Sequence, residues 1–378
     1  MYIQILLFAV GLVMLIKGGD WFVDSASGIA RRFRLPELLI GATVVSIGTT
    51  LPEVMVSAQG AMAGSGGMAY GNAVGSIICN TALIAALTVT LKPGKADRKT
   101  LILPVAFFFS AAAFYVLVAY LFGEFSRIVG IILLCGFALY MVCTLLSMKK
   151  GPKTDEESHA EEVEEFAFSP IGLLIEALVT FVGGGFMIYK GGIMLYISVA
   201  MMALFVAYAA IALLRVKAGK SITTIREILF LIIGAAVIAG GANLLVDSGT
   251  YIATELGVPD TVIALTFVAL GTSLPELVTA ITALLKGHGA LSLGNVIGAN
   301  LFNLVLVSGV STTISPFAVP AESTISGIPA SLVLDIPVML GVMLILTVPT
   351  LIRGKLSRVQ GILLLSIYAA FCTIQFVM

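Results

Sequence analysis

Residues 43 to 80 read TVVSIGTTLPEVMVS…GNAVGSIICN and residues 266 to 303 read TFVALGTSLPELVTA…GNVIGANLFN, so one pattern is written twice, 223 positions apart and without a gap. The register extends to Asp24 and Pro36, which meet Asp247 and Pro259, and it pairs Glu53 with Glu276, Asn72 with Asn295 and Asn80 with Asn303. Each copy sets a carboxylate directly after Leu-Pro inside apolar sequence. A duplicated chain with Gly/Pro-interrupted hydrophobic segments at corresponding positions points to a membrane protein with a midplane substrate site.

Composition agrees: 59% of residues are hydrophobic and 11% charged, where a soluble domain carries about 25% charged residues. Mean hydropathy is +1.10. Apolar stretches of the length needed to cross roughly 30 Å of hydrocarbon as helix fall at 2–30, 37–63, 70–91, 100–121, 126–148, 170–189, 192–214, 226–254, 260–285, 293–315, 330–352 and 358–377, twelve in all. The alternation of a membrane β-barrel is absent. The fold class expected is an all-α membrane protein.

Lys and Arg orient it, because cytoplasmic loops are enriched in them. With both termini outside, 18 of the 21 basic residues fall on the cytoplasmic side, Arg127 and Lys190 fall outside, and Lys17 lies in the first span. The first copy then enters the membrane from outside and the second, from about residue 226, from inside, which makes the repeat inverted. The organisation expected is a first repeat at 1–148, an acidic cytoplasmic linker at 149–169, an extra transmembrane hairpin with a basic loop at 170–225, and a second repeat at 226–378. The run GPKTDEESHAEEVEEF reads as a solvated linker or a weak cation sensor. The first span has no basic leader region or cleavage pattern and is read as a retained helix. The location expected is the cytoplasmic membrane.

Burying one carboxylate at bilayer depth costs at least about 2.5 kcal/mol, so Glu53 and Glu276 must be paired, protonated or bound to a cation. A proline one residue before each removes a backbone N–H and crowds the preceding turn, so the helix is expected to open at Gly-Thr-Thr-Leu-Pro and Gly-Thr-Ser-Leu-Pro. Carbonyls freed around Ser46 and Ala269 and the hydroxyls of Thr49, Thr50, Thr272 and Ser273 then become hard oxygen ligands beside the acids. Asn80 and Asn303 lie near the depth where a facing Glu could share an ion; Asn72, Asn295 and Asn300 serve as ligands or as interhelical hydrogen-bond partners. Such a set suits Ca²⁺ or Na⁺ rather than zinc or copper, and His159 and His288 sit in loops. Cys79, Cys135, Cys143 and Cys372 read as small packing residues, Asp24 and Asp247 as polar helix positions facing water, and Glu176 as a lone acid near the interface. No Ser-His-Asp pattern, metalloprotease motif or phosphate loop suggests an enzyme or an organic cofactor, and neutral net charge gives no sign of a nucleic-acid partner.

GTTLPE with GNAVGSIICN, and GTSLPE with GNVIGANLFN, resemble the α1 and α2 repeats of the cation/Ca²⁺ exchanger superfamily, closest to the prokaryotic Na⁺/Ca²⁺ exchangers. The resemblance spans roughly 2–148 and 226–377 and leaves out the middle hairpin. It implies two inverted five-helix repeats with discontinuous helices around a central cation site, so that this chain would have about 12 transmembrane helices. It implies acids Glu53 and Glu276, hydroxyl ligands Thr49, Thr50, Thr272, Ser273 and Ser76, carbonyl ligands Ser46 and Ala269, and the amide of Asn80. Ala299 stands where some members carry Ser, and Asn303 where some carry Asp, which removes one Na⁺ ligand and a third acid. The function implied is Na⁺/Ca²⁺ antiport by alternating access, with Ca²⁺ and Na⁺ as transported ions and the lipid bilayer as partner. A H⁺-coupled or K⁺-dependent cation exchanger and a cation channel are the alternatives.

Overall fold

The computed structural model describes residues 2–33, 35–62, 64, 66–150, 176–177, 179–181, 185, 192–217, 223–256, 271, 273–321, 324–325 and 327–377. The acidic linker, His159, Ala269, Thr272 and most of the spans expected at 170–189 and 260–273 lie outside them. The helices are α1 (Tyr2–Arg32), α2 (Glu37–Met62), α3 (Gly66–Cys79, then Asn80–Ala85 and Ala86–Leu91), α4 (Arg98–Leu121), α5 (Arg127–Lys150), α6 (Gly192–Lys217) and α7 (Thr223–Glu255). They continue as α8 (Leu274–Leu285), α9 (Gly289–Ile314), α10 (Ser331–Arg353) and α11 (Arg358–Val377). Among the described residues nine helices are long and apolar enough to cross a membrane. Large apolar side chains such as Ile102, Leu117, Leu139 and Val359 stand more than half exposed, which suits a surface solvated by lipid.

The chain divides into two compact units, Met1–Leu35 with Gly151–Thr282, and Pro36–Lys150 with Ala283–Met378. In the first, α1 and α7 pack through glycines. A Cβ at Gly11 would lie 3.0 Å from Gly241 O, and one at Gly234 would lie 3.1 Å from Gly18 O. Numbers rise along α1 as they fall along α7, so the helices run antiparallel. Gly234 and Gly241 are the 223-residue counterparts of Gly11 and Gly18, so the contact maps onto itself when the copies are exchanged. Where apolar side chains gain nothing by leaving lipid, such small residues supply close van der Waals contact.

The described part of the hairpin is built onto this pair. Phe205 and Tyr208 of α6 meet Phe230 of α7, whose ring is also edge-on to Trp21 at 5.3 Å. Glu176, expected as a lone acid, instead accepts from Arg226 Nη2 at 2.6 Å, and the guanidinium lies 4.7 Å from the Phe230 ring centroid. Arg226 is part of α7; two charges are taken out of water together at tolerable cost only in such a bonded pair. Arg32 and Glu227 form a second pair at 3.0 Å.

In the second unit a core of Tyr70, Phe108, Tyr115, Phe125, Tyr140, Phe302 and Met339 joins α3, α4, α5, α9 and α10. Two short strands, β1 (Glu124–Phe125) and β2 (Phe317–Ala318), pair antiparallel at one edge. The helix α2 wedges onto α9, where a Cβ at Gly294 would collide with Leu38 O and one at Gly298 would lie 2.6 Å from Ala42 Cα. Repeat logic recurs here too. Gly130 of α5 abuts Gly309 and Thr313 of α9, and Gly361 of α11 abuts Ala86 and Thr90 of α3, the counterparts 223 residues earlier. Cys79 is buried, whereas Cys135, expected to pack, is exposed on α5.

Gly294→Ala should destabilise the protein by about 1–3 kcal/mol through overpacking against backbone. At the matched Gly71 an added Cβ meets no described atom within 4 Å, so Gly71→Ala should change stability by no more than about 0.5 kcal/mol. Thermal unfolding in detergent micelles compares the two.

Candidate cation site

Ser46, Thr49, Thr50 and Glu53 recur at i, i+3, i+4 and i+7, the spacing of one helix face, and all four are buried, Glu53 to 0% exposure. The helix does not open at Pro52 as expected: Ser46–Met62 is continuous with the proline inside it. A membrane helix tolerates proline where hydroxyls and local π adjustment take up the disturbed backbone groups. The irregularity lies one turn earlier, in a π-helical stretch at Gly41–Val45 where the Ser46 amide reaches back to Gly41 O. At the second motif Gly271 and Ser273 are in turns and α8 begins at Leu274. Glu276 therefore sits in the first helical turn, where the helix dipole favours a negative charge.

On α3, Asn72, Ser76 and Asn80 form a second stripe, and on α9 Asn295, Ala299 and Asn303 form its counterpart. Two of these amides are committed to holding the helices together. Asn72 Nδ2 donates to Ser57 Oγ at 2.7 Å and to Glu53 O at 3.2 Å, fixing α3 against the backbone of the acid. Asn295 Oδ1 accepts from Thr49 Oγ1 at 3.2 Å, which directs the hydroxyl proton away and leaves the Thr49 lone pairs for another partner. Asn300 donates to Thr81 Oγ1 at 2.6 Å, tying α9 to α3.

Asn80 and Asn303 differ. Each is buried to 0% exposure, and among the described residues neither Oδ1 nor Nδ2 has a hydrogen-bond partner. Thr50 Oγ1 and, in the first unit, Ser273 Oγ are likewise buried without one. A buried polar atom left unsatisfied costs about 1–3 kcal/mol, so these atoms call for a partner of another kind. Asn80 and Asn303 also open π-helical stretches, Asn80–Ala85 and Asn303–Val307, at matched positions; π turns recur at functional sites. Ser76 is buried on α3, and Glu276 is buried to 0% exposure on α8.

In the second unit the buried oxygens able to hold a hard cation are thus the Glu53 carboxylate, the Asn80 and Asn303 Oδ1 atoms and the hydroxyls of Thr49, Thr50 and Ser76; in the first unit they are the Glu276 carboxylate and the Ser273 hydroxyl. Among the described residues no three His, Cys, Asp or Glu gather into a metal cluster. His288 lies elsewhere, just before α9, with Nδ1 2.8 Å from Glu37 Oε1. Asp24 and Asp247 are exposed on α1 and α7. Asn295 takes the hydrogen-bonding role of the two expected for it, while Ser57 and Tyr140, whose hydroxyl bonds Ala42 O at 2.9 Å, support the Glu53 face without having stood among the expected residues. For Asn295 the duplicated Gly-Asn was a signal; for Tyr140 there was none.

A multi-pass helical protein with a duplicated acid-and-amide motif has the make-up of a cation transporter. The family model described as sodium/calcium exchanger protein matches residues 3–146 and 226–377, and the chain belongs to that family. It is 32% identical to the sodium/calcium exchanger MaX1 of Methanosarcina acetivorans over 99% of both chains. It is 31% identical to a putative antiporter, CaxA, of Alkalimonas amylolytica over 98% of both. A solved structure of the sodium-calcium exchanger NCX_Mj, soaked with Na⁺ and Ca²⁺, superposes with a TM-score of 0.68 at 28% identity, covering 97% of each chain.

Thr49→Val keeps the shape of the side chain but deprives Asn295 Oδ1 of the nearer of its two donors, leaving only Ser46 Oγ at 3.4 Å, which also lies 2.7 Å from Gly41 O. The expected result is a loss of about 1–3 kcal/mol in stability, read by thermal unfolding; an unchanged midpoint would remove the bond from the account.

Proposed function

We propose that the protein exchanges Na⁺ for Ca²⁺ across the cytoplasmic membrane by alternating access, with Glu53 and Glu276 as the charged ligands. The observation that carries the reading is the pair of matched acids, each buried to 0% exposure, together with the matched amides Asn80 and Asn303, whose polar atoms have no hydrogen-bond partner among the described residues. Thr49, Thr50, Thr272, Ser273 and Ser76 supply hydroxyl oxygen, Ser46 and Ala269 supply carbonyl oxygen, and Asn80 and Asn303 supply amide oxygen. Ca²⁺ accepts six to eight oxygens in flexible geometry, and Na⁺, also a hard ion, uses the same oxygens, so the two compete.

Exchange follows from charge. A buried carboxylate stripped of its cation is strongly destabilised, so a protein that must change conformation to move an ion does so with its acids neutralised. One ion leaves and another must take its place before the return step. Asn303 and Ala299 keep the formal charge at the two acids. NCX_Mj is a sodium-calcium exchanger, and MaX1 bears the same description; both support the choice of ions.

The copies form an inverted repeat of two five-helix halves, 1–148 and 226–378, with the segment at 149–169 and the hairpin at 170–225 between them and both termini outside. Inversion is supported by the antiparallel course of α1 and α7 and by their self-exchanging glycine contacts. It provides the two access states by letting the halves trade conformations.

Uptake of ⁴⁵Ca²⁺ into Na⁺-loaded proteoliposomes diluted into Na⁺-free buffer should require internal Na⁺ and fall to background in Glu53→Gln and in Glu276→Gln. Uptake driven by a pH gradient or dependent on K⁺ would move the protein to the H⁺-coupled or K⁺-dependent class, and flux without any counter-ion would make it a channel.

A further inference from the structure

The geometry points to Tyr140 of α5 as a positioning residue for the Glu53 face, acting through the carbonyl of Ala42 in the π-helical stretch of α2. This rests on the assignment of that face to the transported cation. The stretch Gly41–Val45 separates two parts of α2 with different tasks. Before and within it, Leu38 and Ala42 are fixed against α9 by contacts so close that no side chain fits at Gly294 or Gly298. After it come Ser46, Thr49, Thr50 and Glu53.

A residue added to a helical turn rotates everything beyond it by about 100°. Holding or losing the π turn therefore decides whether the four site residues face the amides of α3 and α9 or turn away. The longer i→i−5 bonds of such a turn need reinforcement, and three hydroxyls provide it: Thr43 Oγ1 donates to Leu39 O at 2.7 Å, Ser46 Oγ lies 2.7 Å from Gly41 O, and Tyr140 Oη donates to Ala42 O at 2.9 Å. The first two come from α2 itself; Thr43 would follow it through any change of register, whereas Ser46 Oγ also lies 3.0 Å from Asn295 O of α9. Tyr140 comes from another helix and ties a carbonyl inside the turn to α5, where Ser46 ties the end of the turn to α9. Its ring is fixed edge-on between Phe107, at 5.3 Å, and Phe302, at 6.0 Å, and the whole residue is buried. Among the described residues the two other sequence positions that open π stretches beside the site, Asn80 and Asn303, belong to the ligand set; Tyr140 makes the third stretch part of the same machinery.

Tyr140→Phe removes the hydroxyl and keeps the ring. The expected result is a rise of roughly three- to tenfold in the Ca²⁺ and Na⁺ concentrations for half-maximal exchange, the effect of one lost neutral hydrogen bond, with the melting temperature within a degree or two of wild type and faster amide exchange over residues 41–53. Thr43→Val, which weakens the same turn without touching α5, should raise the half-saturation in the same direction and serves if Tyr140→Phe is recovered poorly. Wild-type half-saturation in both variants, or a loss of maximal rate that only follows a fall in melting temperature, would overturn the inference. If Glu53→Gln transports normally, the assignment of the face itself fails instead.

Discussion

A carboxylate buried to 0% exposure in a membrane-embedded helix is the constraint that organises the second unit. Glu53 cannot be accommodated by its own helix, so neighbouring elements are shaped around it. Asn72 grips its backbone carbonyl, Asn295 holds Thr49 one turn away, and α9 approaches α2 closely enough that glycine is required at 294 and 298. The π turn at Gly41–Val45 lies between that tight anchoring and the face that carries the acid. Each of these features would be a defect in a helix that only had to span the bilayer. Together they describe a helix shaped around a buried acid.

Lipid offers little drive for helix association, and the packing reflects this. Glycines bring α1 to α7, α2 to α9, α5 to α9 and α11 to α3, and buried hydrogen bonds such as Thr81–Asn300 join helices where side-chain volume alone would not. Several of these contacts are related by the 223-residue offset. A duplicated sequence thus yields duplicated joints. The hairpin attaches differently, through an aromatic cluster and the Glu176–Arg226 pair, which suits an addition to an existing scaffold.

Much of the candidate site was legible because its chemistry is written locally and twice. Leu-Pro-Glu and Gly-Asn at fixed offsets identified Glu53, Glu276, Asn80 and Asn303, and apolar runs located α1 to α5, α7 and α9 to α11 within a few residues. What could not be read depends on partners distant in sequence. Pro52 suggested a broken helix, but Ser46–Met62 runs through it, and the irregular turn lies at Gly41–Val45, where nothing in the composition marks a π turn. Glu176 looked solitary because Arg226 lies 50 positions away. Tyr140 is one aromatic residue among many in an apolar helix, and only its distance to Ala42 O distinguishes it.

The central claim is that one set of buried oxygens serves both ions. Equilibrium ⁴⁵Ca²⁺ binding to the purified protein in detergent, titrated with Na⁺ at constant ionic strength, tests it without any transport step. The account predicts that Na⁺ displaces bound Ca²⁺ completely and that Glu53→Gln abolishes the displaceable fraction. Ca²⁺ binding that persists at saturating Na⁺, or that survives Glu53→Gln unchanged, would contradict it.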